Sequence, residues 1–223
     1  MKTKRVQILT KDGSSTLKVE AFKETYHSQH GALTESEFVY LQHGLCHWQL
    51  TQAAKSCSVL EMGYGTGLIS YLTYLYDSTV PIRYVSLEAY PLTHEELKQL
   101  NYSQFIPSGQ HATFEAFSNL SWDKQHQLNP KFDFIKHQIR FEDFESDHLY
   151  DVIFYDAFGA HAQPELWDVQ WMKKCYDLLN QNGVWVSYCA KGSVRRALQE
   201  VGFKVERLSG PPGKREMLRA VKP

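Results

Sequence analysis

The chain has 223 residues, 43% of them hydrophobic and 22% charged, enough for one α/β domain with a full core. A net charge of −1 excludes a uniformly basic nucleic-acid-binding protein, and no apolar run after Met1-Lys-Thr-Lys-Arg5 is long enough for a signal peptide or a membrane span. Four cysteines (Cys46, Cys57, Cys175, Cys189) show no CxxC pair and no framework spacing, which reads as reduced thiols in a cytoplasmic protein.

In chain order, two β-rich runs at 5–10 and 16–20 flank Lys-Asp-Gly-Ser-Ser and predict a hairpin. Thr34-Glu-Ser-Glu37 has the form of a capping box and predicts a helix to about His47, with Phe38, Leu41 and Leu45 on one face. Residues 1–50 read as an appendage to a main domain at 51–223. There, strands at 58–62 and 82–87 alternate with helices at 67–76 and 93–100. Residues 101–131 read as irregular, with a helical piece near 113–120. A strand lies within 132–141, another at 150–155, and a helix at 164–179 carries proline in its first turn. Strand 183–188, helix 194–201 closed by Gly202, and strands 203–208 and 216–221 complete the chain. This alternation predicts a Rossmann-like, mostly parallel sheet with helices on both faces and an antiparallel last strand.

Val59-Leu-Glu61-Met62-Gly63-Tyr64-Gly65-Thr-Gly67 describes a buried strand that turns sharply into a helix. Glycines are needed where φ is positive or a ligand must approach the backbone without a Cβ in the way. In the dinucleotide fingerprint the third glycine follows three residues after the second, and here that place is Leu68. The spacing instead resembles the first motif of class I S-adenosylmethionine-dependent methyltransferases.

Acids recur where such a sheet binds ligands, beyond the carboxyl ends of its strands. Glu61 and Glu88 end the first two Rossmann strands, Asp143 follows the third, and Asp156 ends the fourth. An ionised carboxylate only accepts hydrogen bonds. Glu88 therefore suits ribose hydroxyls and Asp143 an adenine amino group, while Glu61 and its turn suit the ammonium end or order the loop. The summed negative charge suits a sulfonium.

Taken together, the chain resembles the MnmC-like tRNA 5-methylaminomethyl-2-thiouridine methyltransferases. Four segments carry the match: Tyr26-His-Ser28-x-x-Gly31-Ala-x-x-Glu35-Ser, the glycine turn, Asp156-Ala-Phe158 with Gln163-Pro-Glu-Leu-Trp167, and Lys214-Arg215-Glu-Met-Leu218. Ala157 and Gln163 stand where that family has Gly and Asn. The resemblance implies S-adenosyl-L-methionine held by Ser28, Glu35, Glu61, Met62, Gly63, Tyr64, Gly65, Gly67, Glu88, Asp143 and Asp156. It implies methylation of the aminomethyl group on carbon 5 of a wobble uridine, with Asp156 orienting the amine and relaying its proton. Phe158 and Trp167, with Tyr64, are aromatic candidates for the pocket. Lys214 and Arg215 are candidates for phosphates of the anticodon stem-loop.

The best-known members fuse this domain to an FAD-dependent oxidoreductase. This chain reads as a stand-alone methyltransferase, compatible with an oxidoreductase partner that supplies the precursor. The stretch 191–223 has nine Lys/Arg against three acids, a local +6 that leaves about −7 on the remainder, and this suits a local phosphate contact. His43 and His47 share a helix face, but no nearby Glu completes an HExxH pattern, so no metal is expected. Two other readings share the pattern: a small-molecule or polyamine methyl- or aminopropyl-transferase, and a non-catalytic cofactor-binding RNA module.

Overall fold

The structure, a computed structural model, describes residues 4–21, 23–106, 109 and 111–223; Met1–Thr3 lie outside it. Its frame is an eight-stranded sheet built from β4 (Cys57–Met62), β5 (Ile82–Glu88), β6 (His126–Asn129), β7 (Phe132–Gln138), β8 (Tyr150–Tyr155), β9 (Leu179–Ser187), β10 (Lys204–Ser209) and β11 (Glu216–Val221). The strand order is β10-β11-β9-β8-β4-β5-β7-β6. The five strands from β9 through β7 run parallel, while β6, β10 and β11 pair antiparallel. The antiparallel last strand thus slots between β9 and β10. β6 is a strand that the polar His/Gln/Asn composition of that stretch concealed; it forms a hairpin on the edge, where one face meets water and polar residues are tolerated.

Period-2 alternation divides the sheet residues between two cores. Val59, Tyr84, Phe134, Phe154 and Val186 face one side, and Leu60, Val85, Ile153, Tyr155 and Trp185 face the other. The first side is covered by α3 (Leu68–Leu75), α5 (Phe114–Ser118) and an N-terminal helix; the second by α6 (Val169–Leu178) and α7 (Gly192–Glu200). The predicted helix at 164–179 resolves into a 3₁₀ turn, Pro164–Trp167, followed by α6. The predicted helix at 93–100 is the shorter α4 (His94–Leu97), opened by Thr93 with a complete capping box to Glu96.

At the N-terminus, β1 (Arg5–Leu9), β2 (Ser15–Val19) and β3 (Glu24–Thr25) form a separate antiparallel sheet. The helix that follows begins at Ala32, two residues before the predicted cap. Thr34 caps nothing itself: its backbone N–H and its hydroxyl both donate to Asp12 in the hairpin turn, at 3.1 and 3.0 Å. A side chain from another element therefore satisfies a donor that the first helical turn leaves open.

Residues 32–51 run as α1 (Ala32–Ser36), a π-helical stretch (Glu37–Cys46) and α2 (His47–Thr51). In a π-helix the bonds run from i to i+5, so the buried face advances faster along the chain than in an α-helix. From Glu35 onward the buried positions are Glu35, Ser36, Val39, Tyr40, Gly44, Leu45 and Trp48, while Phe38 and Leu41 are half-buried against the same core. Leu45 lies on the core face as the sequence pattern predicts, and Phe38 and Leu41 pack at its margin.

Gly44 seats this helix on the sheet: a Cβ there would lie 2.8 Å from the Phe154 ring and 2.9 Å from Val186. Gly44→Ala is expected to cost about 1–3 kcal/mol of stability through overpacking, read as a lower urea midpoint. An unchanged midpoint would mean the helix shifts freely on the sheet.

Candidate active site

The parallel strands bring the ends of β7, β5, β4 and β8 to one edge, and the strand order reverses between β4 and β8. A cavity of about 810 Å³ opens there, at the position where wound sheets bind ligands and of a size that holds them. Its walls include Met62–Thr66, Glu88, Tyr90, Glu142, Asp156–Phe158, Tyr188 and Lys214, with Tyr26–Ser28 and Glu35 from the N-terminal segment.

All three glycines of the turn have positive φ, 98° at Gly63, 52° at Gly65 and 81° at Gly67. A Cβ on Gly63 would lie 2.5 Å from the carbonyl oxygen of Asp156, so this glycine lets β4 and β8 close together. A Cβ on Gly65 would stand 3.0 Å from the Tyr26 ring. Gly67 caps α3 and does not line the cavity. The Gly65 N–H donates to Glu88 Oε2 and the Tyr90 N–H to Oε1, each at 2.9 Å. These bonds fix the Glu88 carboxylate at the rim, with lone pairs left for a ligand.

Asp156 is held at the end of β8 by its backbone N–H, which donates to the Met62 carbonyl at 2.9 Å. Its carboxylate accepts the Tyr40 hydroxyl at 2.5 Å. Burial pushes the acid up to about 7, against the opposing pull of the Tyr40 hydrogen bond; Glu35 adds to the rise and Lys214 offsets it. Tyr40 had no signal in the sequence, because the π-helical pitch is what points it at Asp156. Glu35 is 6% exposed, accepts the Ser28 N–H at 3.1 Å and pairs with Lys214 at 2.5 Å.

Several sequence-based assignments are corrected. Asp143 is exposed and off the cavity wall; its neighbour Glu142 lines the cavity instead. The 3₁₀ turn Phe141–Asp143 sets that phase, and Lys174 pins it by donating to the Phe141 and Glu142 carbonyls at 2.7 and 3.0 Å. Glu61 is fully buried and outside the cavity lining. It accepts the Ser86 hydroxyl at 2.5 Å, and burial holds its acid well above the usual range, so it braces the turn from beneath.

Tyr64 lines the cavity, and its ring packs edge-on to Trp122 beside the buried Lys136 ammonium. Trp167 lies beneath the wall and donates its indole N–H to the Phe158 carbonyl at 2.9 Å. It shapes the loop that presents Phe158, whose ring meets Tyr26 edge-to-face at 5.0 Å. Arg215 is exposed and away from the cavity, whereas Lys214 turns inward to Glu35, so it is not a free phosphate contact. No group of His, Cys, Asp and Glu among the described residues could hold a metal ion, and none of the described helices is long and apolar enough to cross a membrane.

A family described as S-adenosyl-L-methionine-dependent methyltransferase matches residues 109–223, just over half the chain. The chain belongs to that family. Among curated relatives, the methyltransferase is 29% identical over 248 residues to the tRNA 5-methylaminomethyl-2-thiouridine biosynthesis bifunctional protein MnmC of Actinobacillus pleuropneumoniae, covering 100% of this chain and 36% of that protein. It is 27% identical to the protein of the same name from Pseudoalteromonas atlantica, covering 90% of this chain and 31% of that one. The methyltransferase thus spans about a third of the length of these relatives. Its fold is shared with MnmC2 from Aquifex aeolicus, at a TM-score of 0.77 and 23% identity, over 98% of this chain and 70% of that one. It is shared more loosely with spermidine synthase from Thermotoga maritima, at a TM-score of 0.56 and 16% identity, over 100% and 74%.

The wall suits the family's cofactor on its own evidence: a fixed carboxylate at Glu88, a turn whose glycines leave no Cβ in the way, and an acid at the far end for a cation. Glu88→Ala is expected to weaken S-adenosylhomocysteine binding at least about tenfold in calorimetry, the scale of a lost hydrogen bond to a charged group. Asp143→Ala should leave it within about twofold; the reverse pattern would restore Asp143 to the site.

Proposed function

We propose that this chain methylates the aminomethyl group on carbon 5 of the wobble uridine in tRNA, using S-adenosyl-L-methionine. The observation that carries the reading is Asp156, a half-buried carboxylate under a tyrosine hydroxyl, opening into the cavity beside the glycine turn. The names of the MnmC relatives, matched along the full chain, support the choice of acceptor. Ser28, Glu88, Glu142, Asp156 and the backbone of Met62, Gly63, Tyr64 and Gly65 are the proposed cofactor contacts, with Glu35 serving through the Ser28 N–H that it holds and Glu61 and Gly67 shaping the turn.

When bound, the cofactor would supply an electrophilic methyl to the amine nitrogen, its sulfur keeping the electron pair of the broken bond. The chain's residues prepare that nitrogen. An aliphatic amine arrives mostly as ammonium, so its proton must leave before the lone pair is free. Asp156 can take that proton, because burial has raised its affinity for one toward neutral pH. Tyr40 keeps the carboxylate aimed by donating to it. Phe158 and Tyr26 form an aromatic wall at the mouth, suited to stacking a base splayed from the anticodon loop. Aligning the reactants and excluding water are the remaining contributions.

Incubation of hypomodified tRNA with the protein and S-adenosylmethionine, followed by mass spectrometry of anticodon nucleosides, should show a gain of one methyl on 5-aminomethyl(thio)uridine. Transfer to a polyamine mixture and not to tRNA would favour the aminopropyl-transferase-like reading that the spermidine synthase fold also permits. Cofactor binding without turnover on either would leave a non-catalytic module.

Asp156→Ala should lower turnover by at least about a hundredfold, within the range of general-base losses, while S-adenosylhomocysteine still binds. In the wild type, kcat/KM should rise with pH through a midpoint near 7, as Asp156 loses its proton. Tyr40→Phe removes a hydrogen bond that favours the ionised form, so the midpoint should move upward. A flat profile from pH 6 to 8 would remove Asp156 as the proton acceptor.

A further inference from the structure

Lys214 is the least expected group in the cavity. It comes from the basic C-terminal segment, yet its ammonium sits 2.5 Å from Glu35 Oε2 and 4.0 Å from the centre of the Tyr188 ring. Both partners are fixed in turn: Glu35 by the Ser28 N–H at 3.1 Å, and Tyr188 by its hydroxyl, which donates to the Ala157 carbonyl at 2.8 Å. Glu35, Lys214, Tyr188 and Asp156 line one cavity. The charged groups acting on Asp156 are therefore a second carboxylate, Glu35, and a cation, Lys214, before any ligand enters.

A second free carboxylate here would harm an amine-methylating site. Two acids around one amine hold it as ammonium, because opposite charges favour the charged form. An ammonium has no lone pair to attack with. Two unpaired acids would also share a proton and raise each other's affinity for it.

We propose that Lys214 is a positioning residue of the acceptor site: by pairing with Glu35 it withdraws that carboxylate from the amine and leaves Asp156 as the one group that takes its proton. The inference rests on the methyl-transfer reading above. The proton passes from the ammonium nitrogen to the Asp156 carboxylate, and the Lys214–Glu35 pair neither gains nor loses one. The other groups facing Asp156 and Lys214 do not replace this pairing. Tyr40 and Tyr188 are held in their neutral forms by burial, the Glu61 acid is raised by burial behind the turn, the Cys189 thiol is raised in the same way, and the buried His27 is lowered to about 4 and so uncharged at neutral pH.

The test is a cycle of three variants of the full chain, assayed on hypomodified tRNA. Lys214→Met should lower kcat about tenfold at pH 7 without raising KM and move the acid limb of the pH profile up by about one unit, one unit corresponding to one decade. Lys214→Arg should stay close to wild type. Adding Glu35→Gln to Lys214→Met removes both charges, keeps an acceptor for the Ser28 N–H, and should recover most of the loss. A pH-independent defect in Lys214→Met, or a double variant no better than that single one, overturns the proposal.

A binding measurement decides the matter even if tRNA is not the acceptor. Sinefungin places a protonatable amine near the position of the transferred methyl, and S-adenosylhomocysteine has none. Lys214→Met should bind sinefungin about tenfold more tightly relative to S-adenosylhomocysteine, a one-decade change in ammonium stabilisation. Parallel changes in the two affinities, or none, would overturn the role of Lys214, whereas wild-type protein inert on tRNA with the ratio shifted would overturn only the acceptor.

Discussion

A carboxylate half withdrawn from water at the end of β8 organises this molecule. Even partial burial of Asp156 is costly unless its charge is met or its proton retained. The protein does some of each: the Tyr40 hydroxyl meets the carboxylate, and burial keeps proton affinity near neutrality. The surrounding architecture can be understood as what this arrangement requires. β4 must lie close enough to β8 for the Met62 carbonyl to receive the Asp156 N–H, which forces glycine at 63. The N-terminal helix must press near enough to deliver Tyr40, which forces glycine at 44.

Much of the frame could be read from the chain because it follows from local chemistry. Strands buried on both faces announce themselves as apolar runs, and Val59–Leu60 and Val152–Tyr155 are of that kind. Glycines with positive φ stand out at 63, 65 and 67. The acids Glu88 and Asp156 mark strand ends because parallel strands place their carboxyl ends together. Those features require only a period and a few special residues.

What escaped reading depends on pitch and direction. Asp143 and Glu142 are adjacent, and a single 3₁₀ turn decides which of them faces the cavity. Lys214 reads as a surface cation until the strand that follows it is seen to bring it against Glu35, far away in sequence. Tyr64 and Trp167 sit in motifs that look ligand-facing, yet their rings serve the core and the Phe158 loop. Thr34 carries the form of a cap while Asp12 provides the bond. In each case the residue type was suggestive and a long-range contact settled its use.

The π-helical stretch has an evolutionary corollary. Losing one residue between 37 and 46 would relax it toward ordinary α-helical winding without breaking the helix or exposing the core. Such a chain could fold, yet the tyrosine would swing off the acid and the basicity of that acid would be reset. Indels within a regular helix are usually judged by whether the fold survives them; under the proposed mechanism a surviving fold and an idle enzyme would be compatible outcomes.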